Sequence, residues 1–245
     1  MAGGAKPENH GQCKRDCAEA LRLNPKNVKA WYRAASACFA LDQTDEAIDA
    51  CQSGLQYDAQ NTALAALLTK SEKRRDHLAS LAAQRKEQAQ RERAEKATLA
   101  HALQTRNIAV RTTPTPPEIP ESRIALANPL DSSSTLSFPL MFFYPLHAQT
   151  DFIQSFPEDS SLGEHLEYIL PLPWDSRGEY KVEGVECYME TKEEGLVKAG
   201  KKLTLLKLLS GGKVEVVDGL VRVNVVPKAR AGEWIGEFKR RRGKA

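Results

Sequence analysis

A chain of 245 residues is long enough for two modest domains and too short for a full repeat solenoid joined to a large enzyme core. A net charge of +3 and a pI of about 8.5 are too slight a bias to argue for nucleic acid, and a mean hydropathy of −0.48 with 41% hydrophobic residues points to a compact part beside a solvated one. No stretch approaches the roughly 18 apolar residues of a membrane-spanning helix, and the opening Met1–Pro7 has no apolar signal region.

The first periodic stretch begins near Gln12. Cys13, Cys17, Ala20 and Pro25 fall at the small-residue and terminal-proline positions of a tetratricopeptide repeat, so Gln12–Leu23 reads as the second helix of one. Val28–Asn61 is a complete period of 34 residues. Trp31 at its fourth position is the large knob of the first helix, and Ala47 and Gly54 are the small residues that let the second helix approach. Asp42-Gln43-Thr44 makes the polar turn, and Asp45 and Glu46 sit in the next helix's first turn, where the macrodipole favours acids. The repeats, half of one plus one complete, thus occupy residues 12–61. Such units do not bury their faces alone, and Leu64, Leu67 and Leu68 open a capping helix. Without proline or glycine from 62 to 106, that helix runs on for about 65 Å at 1.5 Å per residue. Leu78 and Leu81, then Leu99 and Leu103, give it apolar contacts towards its ends. Its middle is polar all round, which predicts a solvated spacer and not a coiled coil.

Residues 107–134 carry Pro114, Pro116, Pro117, Pro120 and Pro129 and the run Ser132-Ser133-Ser134, the composition of a linker. Residues 135–245 then mix strand and helix patterns, giving an overall class of α followed by α+β. Leu136–Leu146 reads as a central strand, apolar on both faces. Asp151–Phe156 reads as a short helix. Ser161 and Glu164 have capping-box spacing before a helix through Leu166, Tyr168 and Ile169, which Pro171 and Pro173 stop. Gly184–Thr191 alternates as a strand, and Leu203–Leu209 suits strand or helix, with Thr204 and Gly211-Gly212 favouring helix. Val214–Val217 and Leu220–Val226 are predicted to form a hairpin about Asp218-Gly219, and Ala231–Arg242 a closing helix with Trp234, Ile235 and Phe238 on one side. Trp174 and Tyr180, beside Pro173 and Gly178, fit either a partner-binding loop or core anchors.

Enzymatic signals are lacking. There is no Gly-x-Ser-x-Gly elbow, and Gly211-Gly212-Lys213 lacks the rest of a phosphate-binding loop and reads as a turn. Glu164 with Glu167, and Glu193 with Glu194, are explained by surface positions. Cys187 lies in a strand without a placed histidine partner. The cysteines Cys13, Cys17, Cys38, Cys51 and Cys187 form no CxxC pair and lie at no metal-ligand spacing from a histidine, which predicts reduced thiols, no metal and no cofactor. No catalytic residue is assigned, and a cytoplasmic setting, with the nucleus also open, is expected.

The binding candidates lie on the first helix of the repeat. Lys29 and Arg33 are four residues apart and project from one face, with Tyr32, Ser36 and Phe39 beside them. Two cations above an aromatic-lined groove suit an extended acidic peptide or a free C-terminal carboxylate, and a solvated helix face is the plain alternative. The run Lys29-Ala30-Trp31-Tyr32-Arg33-Ala34 resembles part of the carboxylate clamp of heat-shock co-chaperones. Residues 24–51, together with LSFPLMFFYPLHAQTDFI, HLEYILPLPWD and GVECYMET within 135–192, resemble the cyclophilin-seven-suppressor or tetratricopeptide-repeat-protein-four family. That resemblance implies repeats, a charged helix and a C-terminal "wheel" domain. It also implies a co-chaperone that links heat shock protein 90 and 70, held by their acidic C-terminal tails, to clients such as translation elongation machinery. The family's clamp further uses a lysine and two asparagines from preceding helices, so only Lys29 and Arg33 carry over, and each absent charge-assisted bond forfeits about 1.5–3 kcal/mol. The alternative is a ribosome- or RNA-associated protein using the Lys70–Arg75 segment and the basic tail Lys239–Lys244, for which helix-terminal cations are the plain explanation.

Overall fold

The structure, a computed structural model, describes residues 7–117 and 122–243. The opening residues 1–6, Pro120 of the proline-rich stretch and Lys244 of the tail lie outside the described residues. The chain divides into two compact units, Met1–Gln90 and Arg91–Ala245.

The first unit is helical. Helix α1 (Pro7–Leu23), α2 (Val28–Ala40) and α3 (Thr44–Tyr57) lead into α4 (Thr62–Thr105), which continues into the second unit. Asn27 caps α2 by accepting the Ala30 N–H, and Asn61 accepts the Leu64 N–H at the start of α4. Asp42 adopts a φ of 57° in the turn between α2 and α3. The core follows the repeat's small-residue logic: Cys17, Ala34, Ala35, Ala50, Cys51 and Leu64 are buried together, with Trp31 packed against them. Gly54 is where three elements converge. A Cβ there would meet Leu64 Cδ1 at 2.8 Å and Trp31 Cβ at 2.9 Å, so the spacing of tryptophan and glycine is what closes the hairpin. Trp31 in turn donates its Nε1–H to the Pro25 carbonyl at 2.8 Å. Residues 82–94 of α4 are all exposed, as its lack of an apolar stripe predicts.

The second unit is built on a six-stranded sheet, with strands β2 (Ala125–Leu126), β3 (Leu136–Tyr144), β8 (Val221–Pro227), β5 (Val185–Glu190) and β6 (Leu196–Ala199) in that order, and β4 (Gln149–Pro157) paired to β3. Most contacts are antiparallel; β3 and β8 run parallel, with Leu140 opposite Val221. Helix α5 (Leu162–Ile169) opens with the expected capping box, in which Ser161 Oγ accepts the Glu164 N–H at 3.2 Å and Glu164 Oε2 accepts the Ser161 N–H at 2.8 Å. Helix α6 (Leu205–Leu209) is capped by Thr204, and α7 (Ala231–Arg241) closes the chain. The main core gathers Phe138, Phe142, Tyr144 and Phe156, all fully buried, and Leu99 and Leu103 of α4 pack against it. A smaller cluster of Tyr188, Val226 and Trp234 lies under α7, with Ile235 and Phe238 beside it.

Three expectations are corrected. Asp151–Phe156 is part of strand β4, because Asp151, Ile153 and Phe156 turn inward while Phe152 stays exposed; Tyr144 Oη, on the adjacent strand, donates to Asp151 at 2.8 Å. The turn at Asp218-Gly219 exists, with φ of 55° and 73°, and is closed by the antiparallel bridge Val217–Leu220, but the hairpin pairing goes no further. Strand β8, with Val221, Val223, Val225 and Val226 buried, is central in the sheet and has both edges occupied, by β3 and β5. This leaves β7 (Glu215–Val217) to pair in parallel with β1 (Ala109–Arg111). The stretch 107–134 is accordingly more than a connecting linker, since it supplies β1 and β2.

It is also tied down by Arg106, at the end of α4. Its guanidinium donates to the Ser132 and Ser134 carbonyls at 2.8 Å each, and its Nε lies 2.9 Å from Glu158 Oε2 and 3.1 Å from Oε1. Glu158 Oε1 also accepts the Leu136 N–H at 2.9 Å, which anchors the start of β3.

Candidate functional site

The five residues singled out on α2 form one strip, but its two edges have different neighbours. Lys29 and Arg33 line a groove of about 520 Å³ shared with α1, whose floor holds Cys13, Cys17, Ala20 and Ala30. Phe39, two turns further along, lies on the other side, where Lys70 of α4 places its ammonium 4.8 Å from the ring centroid. Tyr32, next to Arg33, is 41% exposed, and Ser36, between Arg33 and Phe39, is half-buried. The i, i+4 spacing of the cations thus puts them together as expected, whereas the aromatic that was to share their groove faces α4 instead. Lys70 lies beside the strip on α4, where the spacing of residues along α2 does not reveal it.

What sets Lys29 and Arg33 apart from other unpaired cations of the unit, such as Lys26 and Lys73, is that both line one groove. Elsewhere in the unit Lys14 binds Glu46, Arg22 binds Glu19, and Arg74 grips Asp42 through two bonds of 2.9 and 3.0 Å. That fork holds the Asp42 carboxyl below its ordinary range. No carboxylate among the described residues pairs with Lys29, Arg33 or Lys70. Asp16 also lines the groove, and its Oδ1 accepts from Gln12 Nε2 at 2.7 Å.

Burial pushes Cys17 and Cys51 up to about 11 and Cys187 up to about 12, so all three stay protonated near neutrality. Cys13 and Cys17, with sulfurs 4.0 Å apart, are successive groove-floor residues on α1. Trp174 and Tyr180 are core anchors. Tyr180 is 1% exposed and both rings pack edge-on to Tyr144 at centroid distances of 5.1 and 5.3 Å. In the basic tail, Arg242 bonds Glu190 at 2.6 Å and Arg241 lies 3.7 Å from Glu237, so internal acids offset part of its charge. A cleft of about 410 Å³ in the second unit has the same character, with Arg111 paired to Glu215 and Arg242 to Glu190.

The architecture and its sequence have clear relatives. Residues 128–238 match the model of the Cns1/TTC4 Wheel domain, and residues 9–71 match a tetratricopeptide repeat. The solved Hsp90 co-chaperone Cns1 from Saccharomyces cerevisiae (delta69) superposes with a TM-score of 0.86 at 30% identity, over 96% of this chain and 78% of that one. The chain belongs to the Cns1/TTC4 family. The Hsp70/Hsp90 co-chaperone cns1 of Schizosaccharomyces pombe is 34% identical over 235 residues, and Tetratricopeptide repeat protein 4 of Mus musculus is 31% identical over 218. The chain spans 66% of the length of the former and 55% of the latter. Family membership accounts for the repeat and the wheel-type sheet domain.

Proposed function

We propose that this chain is a co-chaperone adaptor of the cytoplasm, which holds the acidic C-terminal tail of heat shock protein 90 or 70 on the α2 face and presents clients through its C-terminal unit. The observation that carries this reading is the pair Lys29 and Arg33, exposed one turn apart and without a carboxylate partner among the described residues. Unpaired cations in a groove of small residues favour a ligand that brings its own carboxylate, because the bond formed is charge-assisted and no internal ion pair has to be broken. The relatives named as Hsp70/Hsp90 co-chaperones support the partner class. Translation elongation machinery is the client class that the family resemblance suggests for the C-terminal unit.

Fluorescence anisotropy tests the reading with a labelled acidic peptide ending in a free carboxylate, against the same peptide amidated. Wild type should prefer the free carboxylate, and Arg33→Glu should weaken binding about tenfold or more. Equal affinity of wild type and Arg33→Glu would remove the clamp from this face.

A further inference from the structure

The geometry points to a binding site for a soft monovalent cation, copper(I), held between the sulfurs of Cys13 and Cys17 on the floor of the groove between α1 and α2. The site stands on the two thiols and is independent of the carboxylate reading of Lys29 and Arg33.

The two cysteines are four residues apart on α1, so helix geometry sets their side chains on one face, one turn from each other. Their sulfurs lie 4.0 Å apart and are in contact. Both line the groove of about 520 Å³, with Cys13 half-buried and Cys17 6% exposed, so an ion entering the groove meets the pair from its open side. The other thiols differ in this respect. Cys38 donates to Glu46, and Cys51 and Cys187 are wholly buried.

Three chemistries compete for such a pair, and the spacing separates them. A disulfide needs the sulfurs about 2.05 Å apart and the Cβ atoms about 3.5–4.5 Å apart, whereas residues i and i+4 of a helix hold their Cβ atoms at about 5–6 Å. Oxidation would therefore have to break a turn of α1. A zinc-type site needs four ligands, and among the described residues no group of three or more His, Cys, Asp or Glu side chains is gathered to hold a metal. Asp16, the carboxylate beside the pair, accepts instead from Gln12 at 2.7 Å. A two-coordinate thiophilic cation needs only the two sulfurs. With metal–sulfur bonds of about 2.3 Å, a straight bridge spans about 4.6 Å, which the pair reaches by opening about 0.6 Å through side-chain rotation with the helix intact. Of the ions that soft thiolates select, copper(I) is the one satisfied by two ligands. Binding exchanges one copper(I) for the two thiol protons and leaves a bis-thiolate complex with one net negative charge. Lys29 and Arg33 line the same groove, and the Arg33 charge reaches Cys17, so the groove offsets an anion that burial alone would oppose.

Anaerobic competition against the chromophoric chelator bicinchoninate tests the site on the full chain, with copper(I) alone as the probe. Wild type should withdraw one copper(I) per chain from the chelator. Cys13→Ser should weaken that binding by more than about a hundredfold, beyond what the loss of a supporting contact costs a metal site. Cys187→Ala, which removes a buried thiol of the other unit, should change neither stoichiometry nor affinity. Cys17 is packed in the repeat core, where a substitution risks the fold, so X-ray absorption of the wild-type complex supplies the second measurement. It should show two sulfur neighbours and no nitrogen or oxygen, with the helical circular dichroism of the chain unchanged on loading. Wild type that leaves the metal with the chelator, wild-type affinity in Cys13→Ser, a metal with three or more ligands, or helix lost on loading would each overturn the inference.

Discussion

Removing the Arg106 guanidinium should cost the C-terminal unit more than any surface substitution, and the structure gives the size of the loss. The ion pair with Glu158 is deeply placed, with side-chain exposures of 14% for the arginine and 7% for the glutamate. In Arg106→Met the carboxylate keeps one donor, the Leu136 N–H, and loses its counter-ion, while the Ser132 and Ser134 carbonyls lose theirs. Breaking one side of such a buried pair costs about 3–5 kcal/mol, because the remaining charge is stranded. In a domain of this size that lowers the melting temperature by about 10 °C, at 2–4 °C per kcal/mol. Native-state hydrogen exchange at the amides of β3 and β8 reads the loss where it occurs, independently of the repeat unit. Adding Glu158→Gln removes the stranded charge but keeps an acceptor for Leu136, so the double variant should recover at least about half of the deficit. A single variant losing less than about 1 kcal/mol, or a double variant no better than the single, would refute the view that desolvated charge governs this junction.

Gly54→Ala should destabilise the repeat unit by about 1 kcal/mol, since the roughly 1 kcal/mol gained in helix propensity is outweighed by overpacking against Leu64 and Trp31; a circular-dichroism melt showing stabilisation would contradict it. Burial among the rings of Phe142, Phe156 and Tyr168 holds His165 below its ordinary 6.5. Below pH 6.5 the unfolded chain therefore binds a proton that the fold refuses, and stability should decline as pH falls towards the folded value and then level off. Urea titrations across pH 5–8 should show this slope in wild type and its loss in His165→Leu. Asp16→Asn should tighten acidic-peptide binding about twofold to fivefold by removing a like charge from the groove, an effect that fades in high salt; unchanged affinity would place the peptide away from α1.

The helical unit was legible because each of its determinants is local. Trp31, Ala47 and Gly54 sit at fixed offsets within one period, and the absence of proline and glycine from 62 to 106 leaves no other structure for α4. The sheet was legible only where one strand's own pattern decides its environment, as for β3 and β5. Strand β4 was not, because DFIQSF is too short to separate a period of two from one of 3.6. The pairing of β1 with β7 joins Ala109 to Glu215, a contact over a hundred positions that no local window contains.

The candidate site divides along the same line. Lys29 and Arg33 share a face by helix geometry alone, so their convergence could be read from spacing. The place of Lys70 depends on which side of α4 meets α2, and that is fixed by Leu64 against Gly54 about one and a half turns earlier, with Arg74 on Asp42 one turn later. Those two contacts set the rotation of α4, and the rotation brings Lys70 over Phe39. Substitutions that turn the start of α4, such as Gly54→Ala, should move Lys70 off Phe39 before they disturb Lys29 and Arg33, which lie on α2 itself.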